Sequence, residues 1–425
     1  MKVLHLSNSD RSGGAAIAAH RLHQGLQQLG VTSQMLVEKK ISDDRMVLAP
    51  KTNFSKGFGI LKPTLDRLPL RFYRNCEHSR LSLEWLPDAI APQAAKLAPD
   101  AIHLHWICGG YLQIETLTQF KGPLIWTLHD MWPFTGGCHY SQDCDRYTKS
   151  CGACPQLQSG KNWDLSRWVW QRKAKAWNSI NLTIVTPSTW LAKCASSSSL
   201  FQDRRVEVIP NGLDLERYQP IEHRLARELL KLPQDKQLIL FGAMSATSDR
   251  RKGFHLLSAA LQRLSQSVYH ENTELVVFGS SAPTYQTDFG LKAHYLGKLS
   301  DDLSLALVYA SADVFVAPSV QDNLPNTVLE AIACGTPSVA FNIGGMPDMI
   351  EHQQNGYLAQ PYDSEELAKG ITWILQDEQR RQALSRRARE KFEQEFTLEL
   401  QARKYLNLYK EVCQTSRFSV GMGNE

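Results

Sequence analysis

Short, almost wholly apolar runs alternate along this chain with longer stretches whose apolar residues recur at helical spacing. Val3-Leu4-His5-Leu6 opens the series, Ser12-Gly13-Gly14 turns it into a helix-like run over 15–29, and Gly30 ends that run before Ser33-Gln34-Met35-Leu36-Val37. Strand, glycine turn, helix, strand is a βαβ unit, and its repetition predicts a parallel sheet. Residues 101–105, 124–128 and 183–186 read as further buried strands. Proline, asparagine and charge then gather over 209–223, where a domain joint is expected. Beyond it the pattern restarts at 237–242, 275–279, 314–317 and 338–341, and from 365 to about 413 it is helical and charge-rich. The expected class is α/β: two doubly wound, Rossmann-like domains facing a shared cleft, with ligands outside the carboxyl ends of the strands.

Composition narrows this little. At 425 residues the chain exceeds what one core usually supports, which agrees with two domains. A hydrophobic share of 43%, a charged share of 21% and a net charge of +4 are ordinary globular values, and they point to no nucleic-acid partner. No run approaches the ~20 apolar residues of a membrane span, and the first apolar run is too short for a signal-peptide core. Nine unevenly spaced cysteines make a poor disulfide framework. A cytoplasmic protein is expected, with reduced thiols.

The most informative segment is Ser319-Val-Gln-Asp-Asn-Leu-Pro-Asn-Thr-Val-Leu-Glu-Ala-Ile-Ala-Cys-Gly-Thr-Pro337. It leaves a strand, turns at a proline and enters a small-residue helix that stops at Gly335. The helix N-terminus offers backbone N–H groups around Asn323 to Asn326 to a phosphate. Glu330, inside the helix, suits a ribose, and Asp322, in the loop, suits a sugar ring. Taken alone, the same pair also reads as a helix cap and a solvated glutamate.

With its flanking residues, the segment resembles the acidic pair of retaining glycosyltransferases with the GT-B fold, family 4 (group 1), among them bacterial polysaccharide-biosynthesis members. In that family two glutamates precede Ala-x-Ala-x-Gly-x-Pro. Here Asp322 stands first, followed by Glu330, Ala331, Ala333, Gly335 and Pro337. Val208-Ile209-Pro210-Asn211-Gly212-Leu213-Asp214, Gly344-Gly345-Met346-Pro347-Asp348 and Asn355-Gly356-Tyr357-Leu358 resemble further family elements in the right order. The resemblance implies an acceptor-side domain over 1–213, a nucleotide-sugar domain over 214–388, and a segment over 389–425 that returns to the first domain.

Site residues follow from the same resemblance. Lys252 would neutralise the donor diphosphate, whose charge grows as it departs. The family's second cation usually follows the strand glycine, where this chain has Ala243, so Arg250 or Arg251 would supply it. The amides of Asn323 and Leu324 would hold phosphate, Glu330 the ribose, and Asp322 the sugar 3- and 4-hydroxyls. Gly13 and Gly14 would let backbone approach the phosphates. His129, with His105 the less specific candidate, would face the donor sugar.

Two segments stand outside that pattern. Cys138-x5-Cys144-x6-Cys151-x2-Cys154 resembles a structural zinc site, although free thiols or a redox pair remain open readings. Residues 56–80 carry Lys56, Lys62, Arg67, Arg71, Arg74 and Arg80 against Asp66 and Glu77, interleaved with Phe58, Ile60, Leu61, Leu65, Leu68, Leu70, Phe72 and Tyr73. Such a surface would lie on anionic lipid, peripheral to the inner face of a membrane, or is a basic connecting loop in which Pro63 and Pro69 break any long helix. Asp143 and Asp145 form a D-x-D inside the cysteine loop and are discounted.

The function expected is retaining transfer of a hexose from a UDP- or GDP-sugar to a glycan or lipid-linked acceptor, in cell-surface polysaccharide biosynthesis. No cofactor is required for the chemistry. A non-catalytic nucleotide-sugar or glycan-binding protein and a nucleotide-sugar epimerase are the alternatives.

Overall fold

The computed structural model describes residues 1–50, 53–73, 76, 81–242, 249–266, 270–279, 290–299 and 301–421. The chain divides into two compact units, 1–210 with 401–425, and 211–400.

Among the described residues, the first unit holds seven parallel strands: β1 Lys2–Ser9, β2 Thr32–Lys39, β3 Val47–Leu48, β4 Ala101–Leu104, β5 Leu124–Thr127, β6 Leu182–Thr186 and β7 Val206–Val208. Their order is β3-β2-β1-β4-β5-β6-β7, so the winding reverses between β1 and β4. Strands β4, β5 and β6 are buried at every position, as sheets covered on both faces require. Because side chains alternate across a strand, each sends one set to either face. Leu4, Leu6, Trp126 and Ile184 pack with Trp132, Trp177 and Phe201. Val3, Ala101, Ile125 and Val185 pack instead with Leu22 and Leu26 of the helix Gly14–Gln28 and with Ala402, Tyr405 and Tyr409 of the helix Leu398–Gly421. Polar groups interrupt that second face. The Tyr409 hydroxyl bonds His103 Nδ1 at 2.6 Å, Tyr405 bonds Thr127 Oγ1 at 2.6 Å, and His103 Nε2 meets the same Oγ1 at 2.7 Å.

The second unit holds, among the described residues, six parallel strands: β8 Gln237–Gly242, β9 Thr273–Phe278, β10 Ala293–Tyr295, β11 Val314–Ala317, β12 Ser338–Phe341 and β13 Gly356–Ala359. Their order is β10-β9-β8-β11-β12-β13. The winding reverses between β8 and β11, so the loops that leave these two strands emerge side by side.

The structure redraws several expected boundaries. The division falls after Pro210 rather than after residue 213, because Leu213 is in the second unit's core and exchanges backbone bonds with Phe396 (3.0 Å) and Leu398 (2.8 Å). Residues 389–400 stay in that unit because Phe392 and Phe396 fill its core, and only 401–425 group with the first. The single helical stretch after 365 is three helices, Ser364–Leu375, Glu378–Glu395 and Leu398–Gly421. Asp363 and Asp377 cap the first two. Pro63 does not break its segment but lies inside the helix Asn53–Asp66. Among the described residues no helix is long and apolar enough to cross a membrane.

Candidate active site

In the second unit the reversal of winding assembles the expected donor residues. The loop after β8 ends in a short turn, Arg250–Lys252, and Gly253 then starts the helix Phe254–Ser265 with φ +71°. A Cβ at Gly253 would lie 1.7 Å from the Pro318 carbonyl oxygen, so only glycine lets this turn approach the loop after β11. The Val320 N–H donates to the Arg251 carbonyl at 2.8 Å and ties the two loops together.

Asp322 lies at the centre. Its Oδ2 accepts from Lys252 Nζ at 2.7 Å and lies 3.2 Å from Arg251 Nη1, while Oδ1 accepts from the Asn323 N–H at 3.1 Å. Arg251 also donates to the Gln321 carbonyl at 2.9 Å. Burial works to raise the Asp322 pKa, but the charges of Lys252 and Arg251 outweigh it and hold the carboxyl well below the usual range. The aspartate therefore stays ionised and fixes two cations beside a helix N-terminus. The Gly344–Gly345 motif acts on the same residue: the Gly345 N–H donates to the Asp322 carbonyl at 3.1 Å, and a Cβ on Gly344 would stand 2.1 Å from that oxygen. Arg251, rather than Arg250, is the second cation here, and Ala243 lies outside the described residues.

Glu330 is buried inside the helix Asn326–Ala333. Its Oε2 accepts from the hydroxyl of Tyr309, itself fully buried, at 3.0 Å. Burial, then the Glu330 charge, push the Tyr309 phenol well above its ordinary pKa, so it remains a donor. Asn323 and Leu324 are buried in the loop between the two acids. Nothing in the local sequence marked Tyr309, which is 21 residues from its partner.

In the first unit the candidates lie past the carboxyl ends of β1, β4 and β5. Gly13 precedes the helix Gly14–Gln28 without a side-chain cap. His129 shares a hydrogen bond of 3.2 Å with His105, and His105 one of 2.9 Å with His5. Among the described residues, His5 Nε2 is buried with no partner. His5, His103 and His105 also form a set whose ligand atoms lie within 4.8 Å of one another, and it is the only such set among the described residues. The nitrogens of His103 and His105 are, however, already engaged. Cys138, Cys144, Cys151 and Cys154 are free thiols and are not gathered to that spacing.

The description "Glycosyl transferases group 1" matches residues 225–391, and "Glycosyltransferase Family 4" matches residues 12–217. The chain belongs to the group 1, family 4 glycosyltransferases. A D-inositol 3-phosphate glycosyltransferase of Saccharomonospora viridis is 28% identical over 50% of this chain and 51% of its own. The chain thus spans about half the length of that curated relative, and 57–59% of two others it matches. Sucrose-phosphate synthase from Thermosynechococcus elongatus superposes with a TM-score of 0.68 at 20% identity, covering 98% of this chain and 100% of that one. Anabaena HepE in complex with UDP and glucose gives 0.63 at 17% identity, covering 96% and 99%. The fold of this family 4 member is GT-B: two parallel-sheet α/β domains.

The histidine cluster generates a pH prediction. Burial lowers His5, His103 and His105 well below 6.5, and His20 and His129 to about 4. The fold thus favours neutral imidazoles, which regain their ordinary affinity for protons on unfolding. Their contribution to stability is complete above about 6.5 and is lost as pH falls from there towards 4. Thermal melting of the intact chain is expected to fall continuously across that window. A melting temperature that stays flat there would contradict the reading.

Proposed function

We propose that this glycosyltransferase-family protein moves a hexose from a UDP- or GDP-sugar to a glycan or lipid-linked acceptor, with retention, in cell-surface polysaccharide biosynthesis. The observation that carries the donor half is Asp322, held between Lys252 and Arg251 beside the N-terminus of the helix Asn326–Ala333. Two fixed cations and a helix N-terminus suit a diphosphate. HepE, of the same fold, carries UDP and glucose in its crystals.

In this reading Lys252, Arg251 and the Leu324 amide receive the diphosphate, with the Asn323 amide shared between phosphate and Asp322. Glu330, oriented by Tyr309, accepts from the ribose hydroxyls. A carboxylate has lone pairs to spare, so Asp322 would also accept from the sugar 3- and 4-hydroxyls. His129, neutral at pH 7, would offer an uncharged donor or acceptor to the sugar, and Gly13 and Gly14 admit backbone beside it. The bond from the sugar C1 to the diphosphate oxygen breaks, the acceptor oxygen binds the same face, and its proton passes to the departing phosphate. No metal takes part.

Purified protein with a panel of nucleotide sugars is expected to hydrolyse or transfer one of them above background, which a binding protein would not do. Free epimerised sugar in place of transfer would favour the epimerase reading. Glu330→Ala leaves buried groups unpaired at about 1–3 kcal/mol, so donor affinity should fall about tenfold or more. Lys252→Ala should lower kcat more than affinity, since diphosphate charge grows towards the transition state. A rise in KM alone would make the lysine a ground-state anchor.

Exposed apolar side chains favour membrane contact as a second feature. Ile60 is 78% exposed and Phe72 90%, near Arg67 and Arg71. Lys62 drops out of this set, because it is buried and pairs with Glu38 at 2.8 Å. Arg74, Glu77 and Arg80, and the Lys56 and Phe58 side chains, lie outside the described residues. The protein should co-sediment with anionic but not neutral liposomes, less so as salt rises. Joint substitution of Arg67, Arg71 and Phe72 by serine should abolish this. Unchanged sedimentation would make the segment a connector.

A further inference from the structure

Lys173 poses a charge problem that the proposed reaction leaves unanswered. It lies in the helix Leu165–Trp177 and is fully buried. Its ammonium donates to the carbonyls of Trp132 and Thr135, the latter at 3.0 Å, and stands 3.5 Å from the centre of the Trp132 ring. Among the described residues, no carboxylate comes within 4.0 Å of it. Carbonyls and a ring face satisfy its donors without cancelling its charge, and a buried cation without counter-charge is costly.

The same backbone that holds Lys173 leads into the cysteine loop. Thr135 Oγ1 donates to the Cys138 carbonyl at 2.6 Å, and the Gly136 N–H donates to Cys151 Sγ at 3.1 Å. Asp164, which caps the lysine's helix, accepts the Cys154 N–H at 2.8 Å. Between these anchors the turn Cys151-Gly152-Ala153-Cys154 carries φ +141° at Gly152 and +44° at Ala153, the latter a cost that an alanine bears only when its surroundings enforce it. Each of Cys138, Cys151 and Cys154 senses the charge of the others or of Cys144, and Lys173 senses Cys138 and Cys151.

We propose that Cys138, Cys144, Cys151 and Cys154 form a structural tetrathiolate site for zinc, and that Lys173 is its buried counter-charge. Four thiolates around a divalent zinc leave a net charge of about −2, the partner that Lys173 otherwise lacks. Each thiol releases its proton to solvent as its sulfur–zinc bond forms. The ion draws the sulfurs closer than they stand, about 2.3 Å from the metal. An all-sulfur donor set selects zinc over the hard divalent cations. The His5, His103 and His105 set is the weaker candidate, because its nitrogens are largely spent on one another and on Thr127 and Tyr409.

The test uses the full chain, purified under reducing conditions without added metal. Elemental analysis should find close to one zinc per chain, and a chelator should lower the melting temperature of the unaltered protein. Cobalt exchanged into the site should show thiolate-to-cobalt charge transfer and the intense visible bands of tetrahedral sulfur coordination. Lys173→Met should weaken zinc at least tenfold in chelator competition, while donor binding persists. Metal-free protein whose four thiols react in the native state, or a cobalt spectrum without thiolate bands, would overturn the site. Unchanged zinc affinity in Lys173→Met would overturn the role of the lysine.

Discussion

The contact on which the donor half depends is the carboxylate of Asp322 set between Lys252 and Arg251 where the second sheet reverses its winding. A buried acid alone would be neutral, and two adjacent cations alone would repel. Together each keeps the others ionised, and the loops after β8 and β11 are held in register. Gly253 and Gly344 make the closeness sterically allowed, one against the Pro318 carbonyl and one against that of Asp322. The family's motifs thus have a physical reason to recur in one order: they are the pieces of a single ionic joint, with a helix N-terminus alongside. Shortening the first acid from Glu to Asp suits this joint, because the shorter side chain stays against the cations.

The first unit solves a different problem. Its sheet carries imidazoles where a parallel sheet would ordinarily present aliphatic side chains, and the returning helix answers them with Tyr405 and Tyr409. Burial keeps those rings neutral, so the network is polar without being charged. His129 sits at its edge and inherits a fixed orientation through His105.

Much of this was legible from pattern. The long strands announce themselves because burial on both faces leaves unbroken apolar runs, and the glycine turns mark where each ends. The edge strands β3, β7 and β10 escaped because two or three residues carry no period. The helix Asn53–Asp66 escaped because proline and two glycines argue against it locally, and tertiary context overrides propensity. Motif order placed Lys252, Asp322 and Glu330, but not their partners. Tyr309, Tyr409 and Lys173 act on residues 21, 306 and 38–41 positions away, a separation to which no local spacing rule applies. Charge counts misled once: Lys62 looked like surface and is a buried partner of Glu38.

The most direct measurement is a crystal structure of the protein with UDP or GDP bound. The account predicts the diphosphate against Lys252 Nζ, Arg251 and the amides at Asn323 and Leu324, with the ribose hydroxyls on the free oxygen of Glu330. A nucleotide bound elsewhere, with the Asp322–Lys252 and Glu330–Tyr309 contacts unaltered and unvisited, would contradict it.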